Sequence, residues 1–330
     1  MKMKDYINDF TNHLKEATSI GEGVGFYKSH KEFNNILICG LGGSGIGGTI
    51  INDVFYSKIE IPISSTKDYK IPNFVNEKTL VIASSYSGNT EETLTALKKC
   101  KKRNAEICII TSGGDLEKIA KINKYNCINI PSGGPPRAMF GYSFVQIFYV
   151  LLYYNIIDDS FKEEIKKSIT LLDLEKENIK KEAKNIAKKL FQKTPVIYVA
   201  NGFEGVAIRF RQQINENSKA LCWHHVIPEM NHNELLGWRT NVHDLAVLFF
   251  RNNLDLHKNQ IRIEINKKVI AKYTNNITEI WSQGDSKIQN TLYHINIGDW
   301  ISWYLSELNE VDAIEIEVIN FLKEELSKIK

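Results

Sequence analysis

One stretch of the chain, residues 36–48, constrains the fold more than any other. A short apolar run breaks there into six glycines and one serine, in the order Ile-Leu-Ile-Cys-Gly-Leu-Gly-Gly-Ser-Gly-Ile-Gly-Gly. The residues that follow, 49–55, read as a helix. Glycine lets the backbone turn tightly and approach a ligand, and the unpaired amides at a helix start face negative charge. The stretch therefore predicts a strand, a turn and a helix N-terminus that together bind an anion.

The same stretch also fits a second type of anion site. Gly40, Gly42 and Gly45 satisfy the G-x-G-x-x-G pattern of dinucleotide-binding folds, and Glu60 follows Gly40 by twenty residues. A nucleotide-dependent oxidoreductase is therefore one alternative. Absence of NAD(P) binding in calorimetry would exclude it.

Composition argues against several classes of protein. The 330 residues carry 42 Lys and Arg against 39 Asp and Glu, a net charge of +3 with no basic block, so we expect no nucleic-acid partner. The N-terminus lacks the apolar core of a signal peptide. None of the five cysteines forms a C-x-x-C pair, and Cys39 and Cys108 fall in apolar, strand-like runs. We therefore expect a cytoplasmic protein with reduced, buried thiols.

Residues 139–157 form a stretch of nineteen residues without a charge, which is long enough to span a bilayer. Its polar and aromatic side chains, however, run through its body instead of gathering at its ends as in a membrane belt; they are Tyr142, Ser143, Gln146, Tyr149, Tyr153, Tyr154 and Asn155. We therefore expect a buried core helix or a subunit-interface helix, and no membrane association.

The order of strands and helices predicts the fold class. Continuous apolar strands alternate with helices, which indicates an α/β protein with two doubly wound, flavodoxin-like parallel sheets sandwiched by helices. The predicted strands lie at 36–40, 60–65, 79–84, 106–111, 127–130, 195–200, 221–226, 245–250 and 277–281. A Lys- and Glu-rich helix over 158–193 separates the two copies, so we place domains at 1–157 and 194–330.

A second candidate anion loop follows the strand 79–84. Ser85, Ser87, Gly88 and Thr90 supply three hydroxyls and a glycine just before a helix over 91–103. The alternative is that Ser87 or Thr90 only caps this helix. Since ligands of open α/β sheets bind beyond the strand C-termini, the pair of loops favours a phosphate site.

The two loops together resemble the sugar isomerase (SIS) domain, a doubly wound phosphosugar-binding fold. The resemblance rests on Gly42-Gly-Ser-Gly and Ser85-x-Ser-Gly-x-Thr90. Three later motifs, Pro135-Pro-Arg137, Asn215-Glu-Asn-Ser-Lys219 and Pro228-Glu-Met-Asn-His-Asn-Glu234, narrow it to the bifunctional phosphoglucose/phosphomannose isomerases, which contain two SIS domains. It covers residues 36 to about 325 in the expected order.

The resemblance implies a reaction and a set of residue roles. The family interconverts glucose 6-phosphate or mannose 6-phosphate with fructose 6-phosphate through a cis-enediol. The 6-phosphate would be held by the backbone of Gly42 and Gly43 and by four hydroxyls, those of Ser44, Ser85, Ser87 and Thr90. Glu216 would move the proton between C1 and C2, and Arg137 would stabilise the enediolate. His232 of a second subunit would open the sugar ring, assisted by Lys323.

The residue types suit these roles. Abstracting a proton next to a carbonyl needs a positioned carboxylate such as Glu216, and the enediolate needs a fixed positive charge such as Arg137. His232 can donate and accept a proton near neutral pH. The alternatives are an exposed helix glutamate, a surface capping arginine, a structural histidine and, for Lys323, a solvated lysine on a terminal helix.

A metal site is a further alternative, because five candidate ligands lie within eleven residues. They are His224, His225, Glu229, His232 and Glu234. Only Glu229 and His232 are spaced to share one helix turn, and no H-x-x-x-H or H-E-x-x-H spacing occurs, so we expect neither a metal nor any other cofactor. Undiminished turnover after exhaustive chelation would exclude the metal.

The sequence thus predicts a metal-independent hexose 6-phosphate isomerase that acts as a homodimer, with helices 139–157 and 158–193 supplying apolar surface for the dimer. The alternative is a non-catalytic phosphosugar sensor, since SIS domains also serve as regulatory modules. Such a sensor needs the phosphate loops but no proton shuttle. Formation of glucose 6-phosphate from fructose 6-phosphate distinguishes the two.

Overall fold

Two parallel β-sheets, one in each half of the chain, organise the structure, a computed structural model that describes residues 1–27, 31–241 and 244–328. The strands of the first sheet are β1 (Asn35–Cys39), β2 (Ile63–Thr66), β3 (Thr79–Ser85), β4 (Glu106–Thr111) and β5 (Asn126–Asn129). Those of the second are β6 (Thr194–Ala200), β7 (Trp223–Ile227), β8 (Leu245–Arg251) and β9 (Ile277–Trp281).

The helices of the first half are α1 (Met3–Asn8), α2 (Phe10–Gly23), α3 (Gly42–Phe55), α4 (Glu91–Lys102), α5 (Gly114–Asn123) and α6 (Phe140–Tyr153). A long helix, α7 (Ser160–Leu190), leads to the second half, which contains α8 (Glu204–Ser218), α9 (Glu234–Gly237), α10 (His257–Ile270), α11 (Lys287–Leu308) and α12 (Glu317–Ser327). Short 3₁₀ helices lie at Glu229–His232 and Trp238–Thr240.

Both sheets have the same strand order over their first four strands, and the first sheet has a fifth. The first is β2-β1-β3-β4-β5 and the second is β7-β6-β8-β9, with every pair of neighbours parallel. In each sheet the second strand pairs with one edge of the first strand and the third strand pairs with its other edge. This reversal of strand order creates a topological switch point beside the first strand. The predicted α/β fold with two doubly wound sheets is confirmed. The proposed boundaries, 1–157, 158–193 and 194–330, stay a prediction.

The burial of the central strands agrees with parallel sheets that are covered on both faces. All residues of β3 and β8 are buried, in agreement with their continuous apolar sequences. One hydrophobic cluster contains residues of α3, α6 and α7 from the first part of the chain together with residues of α8 and α11. Smaller clusters line the outer face of each sheet. The two halves therefore share one central core.

The uncharged segment forms α6, which is buried between α2 and α3. Every residue from Phe140 to Leu151 is buried within one chain, which confirms the expected core helix. Among the described residues, no helix combines the length and the apolar character that crossing a bilayer requires.

The prediction that helices 139–157 and 158–193 supply apolar surface for a dimer stays a prediction. The apolar stripe of α7 packs against α11, and α6 is enclosed. These contacts bury most of the apolar side chains of the two helices within one chain, although Leu174 of α7 is exposed.

The glycine stretch folds differently from the predicted turn followed by a helix over residues 49–55. The helix α3 begins at Gly42, so five of the six glycines are helical, and two of them, Gly45 and Gly48, lie against β1 and the residue that follows it. A Cβ atom on Gly45 would lie 2.2 Å from the carbonyl oxygen of Gly40, and one on Gly48 would lie 2.8 Å from Ile38 Cγ2. Glycine is thus needed mainly because helix and strand approach closely. Glu60 lies before β2, which begins at Ile63 and not at residue 60.

The helices α3 and α8, which follow the first strand of each sheet, pack directly against each other. A Cβ atom on Gly205 would lie 2.9 Å from the backbone nitrogen of Ile50. Beside this contact, Asp53 Oδ2 accepts a hydrogen bond of 2.7 Å from the Gly205 amide, and Lys287 Nζ donates to the Asp53 carbonyl. This crossing fixes the start of α8 against the first half.

We expect Gly205→Ala to lower the free energy of unfolding by about 1–3 kcal/mol, because the added methyl group forces the two backbones apart. Gly237→Ala is the matched control, since a Cβ atom there meets nothing within 4 Å. The control should change stability by no more than about 0.5 kcal/mol in urea or guanidinium unfolding. Equal stability of the two variants would contradict the importance of this contact.

Candidate active site

The two predicted anion loops lie side by side at the carboxyl ends of β1 and β3, which are neighbouring strands. Ser44 is in the first turn of α3, and its Oγ accepts a hydrogen bond of 2.9 Å from the Tyr86 amide of the second loop. The Ser44 hydroxyl proton remains available to donate to an anion. The structure thus brings together the two loops that the sequence separates by about forty residues.

The hydroxyls of the second loop are arranged for more than helix capping. Thr90 is the residue before α4, but its side chain does not cap that helix and instead lies 2.8 Å from Ser85 Oγ. Ser87 is exposed, and its Oγ accepts from the Asn89 amide at 3.2 Å. The first-turn amides of α4 therefore face the loop without a capping side chain, as they would in an anion site.

Arg137 connects this phosphate-type loop to the other half of the chain. Its backbone lies against the first loop, since a Cβ atom on Gly43 would be 3.1 Å from both the nitrogen and the Cα of Arg137. Its guanidinium crosses to the end of α8, where Nε donates to Asn217 Oδ1 at 2.7 Å and Nη1 donates to Glu216 Oε2 at 3.3 Å. One residue thus spans the distance between the anion loops and a carboxylate.

The electrostatics at Arg137 favour a fixed positive charge. Burial lowers the pKa of its guanidinium, and the adjacent Glu216 carboxylate opposes that shift. An arginine remains charged at neutral pH in such a setting. The surrounding backbone carbonyls and amide oxygens satisfy most of its N–H groups, so the charge is held in one orientation.

Glu216 is in the last turn of α8, and its side chain is 27% exposed. Its Oε2 pairs with Arg137, whereas its Oε1 has no hydrogen-bond partner among the described residues. A partly exposed carboxylate with one free oxygen can accept a proton from a ligand. The predicted pair of Glu216 and Arg137 is therefore assembled within one chain.

A second, buried ion pair, between Arg209 and Asp299, lies next to the pair of Arg137 and Glu216. Arg209 Nη2 lies 2.8 and 3.0 Å from the two carboxylate oxygens of Asp299, and it also donates to the Arg137 carbonyl at 3.1 Å. Gln213 Nε2 donates to Asp299 Oδ1 at 2.7 Å, and Asn217 Nδ2 donates to Ser302 Oγ at 2.9 Å. Together, α8 and α11 fix the groups that face Arg137.

His232 does not meet Glu216 within one chain. It ends the 3₁₀ helix Glu229–His232, and its side chain is exposed with no hydrogen bond to the described residues. The following segment is anchored by Glu234, which accepts from Tyr198 Oη at 2.6 Å and pairs with His225 Nδ1 at 2.7 Å. His232 is thus exposed, on a segment that the hydrogen bonds of Glu234 hold in place.

Lys323 is also not part of the assembled pair. It lies on α12, every described residue of which from 317 to 327 is exposed. Five exposed apolar side chains share this helix, namely Val318, Ile319, Phe321, Leu322 and Leu326. Within one chain Lys323 therefore has the environment of a solvated lysine.

The histidines and carboxylates weighed as metal ligands do not converge. His224 Nε2 is 3.8 Å from Glu204 Oε1, whereas His225 pairs with Glu234, so the two histidines face different carboxylates. Burial lowers the pKa of His224 to about 4. Within residues 1–27, 31–241 and 244–328, no group of three or more His, Cys, Asp or Glu is placed to hold a metal ion.

Comparison with known proteins identifies the family. Residues 32–133 match the SIS domain family, and residues 179–326 match the family described as the bacterial phospho-glucose isomerase C-terminal SIS domain. A bifunctional phosphoglucose/phosphomannose isomerase from Caldicellulosiruptor bescii is 36% identical over 99% of this chain and 100% of its own length. The chain belongs to the bifunctional phosphoglucose/phosphomannose isomerase family. A member of the same name from Thermoplasma volcanium is 32% identical over 95% of this chain and 99% of its own.

Among solved structures, this phosphoglucose/phosphomannose isomerase family member is similar in fold to the C-terminal domain of glucosamine-fructose-6-phosphate aminotransferase from Francisella tularensis. The TM-score is 0.78, with 15% identity over 95% of this chain and 98% of that one. The likeness supports the arrangement of two SIS-type sheets.

Sequence reasoning missed several residues of this isomerase family member's site. Arg209 and Asp299 lie ninety residues apart, and neither belongs to a motif. The only signal in the sequence is that Asp299 is the one acidic residue between 287 and 306, in a helix otherwise rich in apolar side chains. A lone acid in such a helix indicates a buried partner, but it does not identify that partner.

We expect Asp299→Asn to lower the free energy of unfolding by about 3 kcal/mol or more, because it leaves the Arg209 charge buried without its carboxylate. Asp244→Asn is the matched control, since Asp244 is 62% exposed in its ion pair with Lys193. The control should cost at most about 1 kcal/mol. Denaturant titrations of both variants check this, and a small effect of Asp299→Asn would be at odds with the support described for Arg137.

Proposed function

We propose that the chain interconverts glucose 6-phosphate, mannose 6-phosphate or both with fructose 6-phosphate through a cis-enediolate. Membership of the bifunctional phosphoglucose/phosphomannose isomerase family supports a role as a hexose-phosphate isomerase. The single observation that carries the mechanism is Arg137, whose backbone contacts the first anion loop and whose guanidinium pairs with Glu216. This arrangement suits a substrate with a phosphate at one end and a reacting carbonyl at the other.

In the proposed complex, the 6-phosphate lies between the two loops. The backbone amides at the start of α3 and the hydroxyls of the two loops donate to its oxygens; these hydroxyls belong to Ser44, Ser85, Ser87 and Thr90. The hydrogen bond between Tyr86 and Ser44 sets the spacing of the loops in advance. A preformed site of this kind binds a single terminal phosphate with little rearrangement.

The proton transfer is assigned to Glu216. Its free Oε1 takes the proton from C2 of the open-chain aldose, or from C1 of the ketose, and returns it to the other carbon. Oε2 stays paired with Arg137, so the carboxylate keeps its orientation during the transfer.

Arg137 is assigned to the developing negative charge. As the proton leaves carbon, charge builds on the carbonyl oxygen, and a guanidinium already held in place stabilises it without reorganisation. No step of this proposal uses a metal or another cofactor.

Ring opening is assigned to His232 of a second subunit in a homodimer, with Lys323 assisting. The support is that both residues are exposed and carry exposed apolar neighbours. Near His232 these neighbours are Leu236, four residues later, and Trp223, whose Nε1 donates to Glu234, and α12 adds the five side chains described above. Exposed apolar groups of this extent are typical of interaction surfaces. The five free cysteines support a reducing, cytoplasmic location.

We expect Glu216→Gln to lower kcat by about 10³-fold or more, because glutamine cannot accept the proton. Its Kd for fructose 6-phosphate should stay within about threefold of wild type, since the phosphate loops are untouched. A coupled assay for glucose 6-phosphate and calorimetry measure the two effects. Full activity in this variant would remove the proton-transfer assignment, and an inactive wild type that binds the sugar phosphate would favour a sensor.

The shared site predicts complementation between two inactive variants. When Glu216→Gln and His232→Ala chains are co-expressed, mixed dimers contain one site with both residues intact. The mixture should then recover about a quarter of wild-type activity, from half of the dimers with one working site each. Each variant alone should stay inactive. If the mixture is also inactive while mixed dimers form, His232 acts within its own chain.

A further inference from the structure

Lys219 is the residue that follows α8, and its ammonium group is fully occupied by backbone carbonyls. Nζ donates to the carbonyl of Glu216 at 2.7 Å, to that of Asp312 at 2.7 Å and to that of Glu315 at 2.8 Å. An ammonium has three protons, so each proton has one acceptor. One of these acceptors is a carbonyl at the end of α8 that the helix itself leaves unpaired.

The same segment, residues 312–315, also holds Arg137. The carbonyls of Ala313 and Ile314 accept hydrogen bonds from Arg137 Nη2. Four successive carbonyls are therefore bound by two cations, the outer two by Lys219 and the inner two by Arg137. Asp312 Oδ1 accepts from the Ile314 amide at 2.8 Å, which keeps the segment turned in this way.

The segment decides how the guanidinium of Arg137 is presented. Nε donates to Asn217, one Nη1 proton goes to Glu216, and Nη2 is held by the segment. Of the five N–H groups of an arginine, this leaves one on Nη1 for a ligand. If the segment moved away, Nη2 would lose its acceptors and the guanidinium could rotate.

A second lysine in the chain shares the backbone conformation of Lys219 but not its contacts. Lys219 adopts φ 55°, a left-handed conformation that glycine takes at helix ends without strain. Lys124 occupies the same position after α5 with φ 56°, but its side chain is exposed and makes no contact of this kind with the described residues. The chain therefore offers two lysines in one conformation, only one of which binds a cage of carbonyls.

We propose that Lys219 is a positioning residue of the isomerase, which clamps the segment 312–315 to the end of α8 and thereby holds the Arg137 guanidinium against Glu216. The inference rests on the proposed function and adds to it a residue that touches neither the substrate nor the reacting atoms. Lys219 differs in this from Lys323, which is exposed and assigned to ring opening.

The experiment compares Lys219→Gly and Lys219→Met with Lys124→Gly. Both glycine variants relieve the same backbone conformation, so a difference between them reports the side chain. The Lys219 variants should lower kcat for fructose 6-phosphate at least about tenfold and change KM by less than about threefold, because orientation of the catalytic pair is lost and phosphate binding is kept. Lys124→Gly should keep wild-type kcat. Wild-type kcat in both Lys219 variants would overturn the inference.

A double-variant cycle separates positioning from a general loss of structure. If Lys219 acts through Arg137, then adding Lys219→Met to an Arg137→Met chain should change its residual kcat by less than about twofold. Independent effects would multiply, and that result would contradict the proposal. Hydrogen exchange provides a measure that does not depend on turnover, since amides of 312–316 should exchange faster in Lys219→Met and not in Lys124→Gly.

Failure of this inference and failure of the proposed function give different results. If the proposed function is wrong, the wild-type protein fails to isomerise either hexose 6-phosphate. If only this inference is wrong, the wild type is active and the Lys219 variants retain its kcat.

Discussion

The arrangement of this molecule depends on one buried guanidinium. Arg137 belongs by its backbone to the loops at the first sheet and by its side chain to α8 and the segment after α11. A buried charge is tolerated only where hydrogen-bond acceptors surround it. The groups around Arg137 must therefore supply such acceptors. The Arg209–Asp299 pair behind it extends the same constraint into the central core. The two halves are therefore joined by polar contacts as well as by apolar packing.

Much of the fold was predictable because the relevant signals are local. Continuous apolar strands and intervening helices specify a parallel sheet within each half. The start of α3 was misplaced because glycine usually indicates a turn, whereas here Gly45 and Gly48 are selected by the distance between α3 and β1. Whether α6 lies in the core or at a subunit interface, and that α7 packs on α11, depend on tertiary contacts that periodicity does not reveal.

The residues of the candidate site also fall into a group that the sequence predicted and a group that it did not. The serine and threonine loops and the pair of Glu216 and Arg137 came from short motifs, and the structure places the members of each group together. The residues that hold Arg137 in place belong to no sequence motif. Arg209, Asp299 and the carbonyls of 312–315 come together only in the folded chain. His232 and Lys323 are exposed in a single chain, so their roles depend on contacts beyond it.

The bond between Asp53 and the Gly205 amide makes two topologically equal helices electrostatically unequal. The positive end of α8 already holds a carboxylate from the other half of the chain and carries Glu204 in its own first turn. The positive end of α3 has no acidic residue in its first turn. A diffusing anion therefore finds the Gly205 amide of α8 already bound to a carboxylate, whereas the first turn of α3 carries no competing acid. Two helices that are equivalent in topology thus differ in whether their first turn is open to an anion.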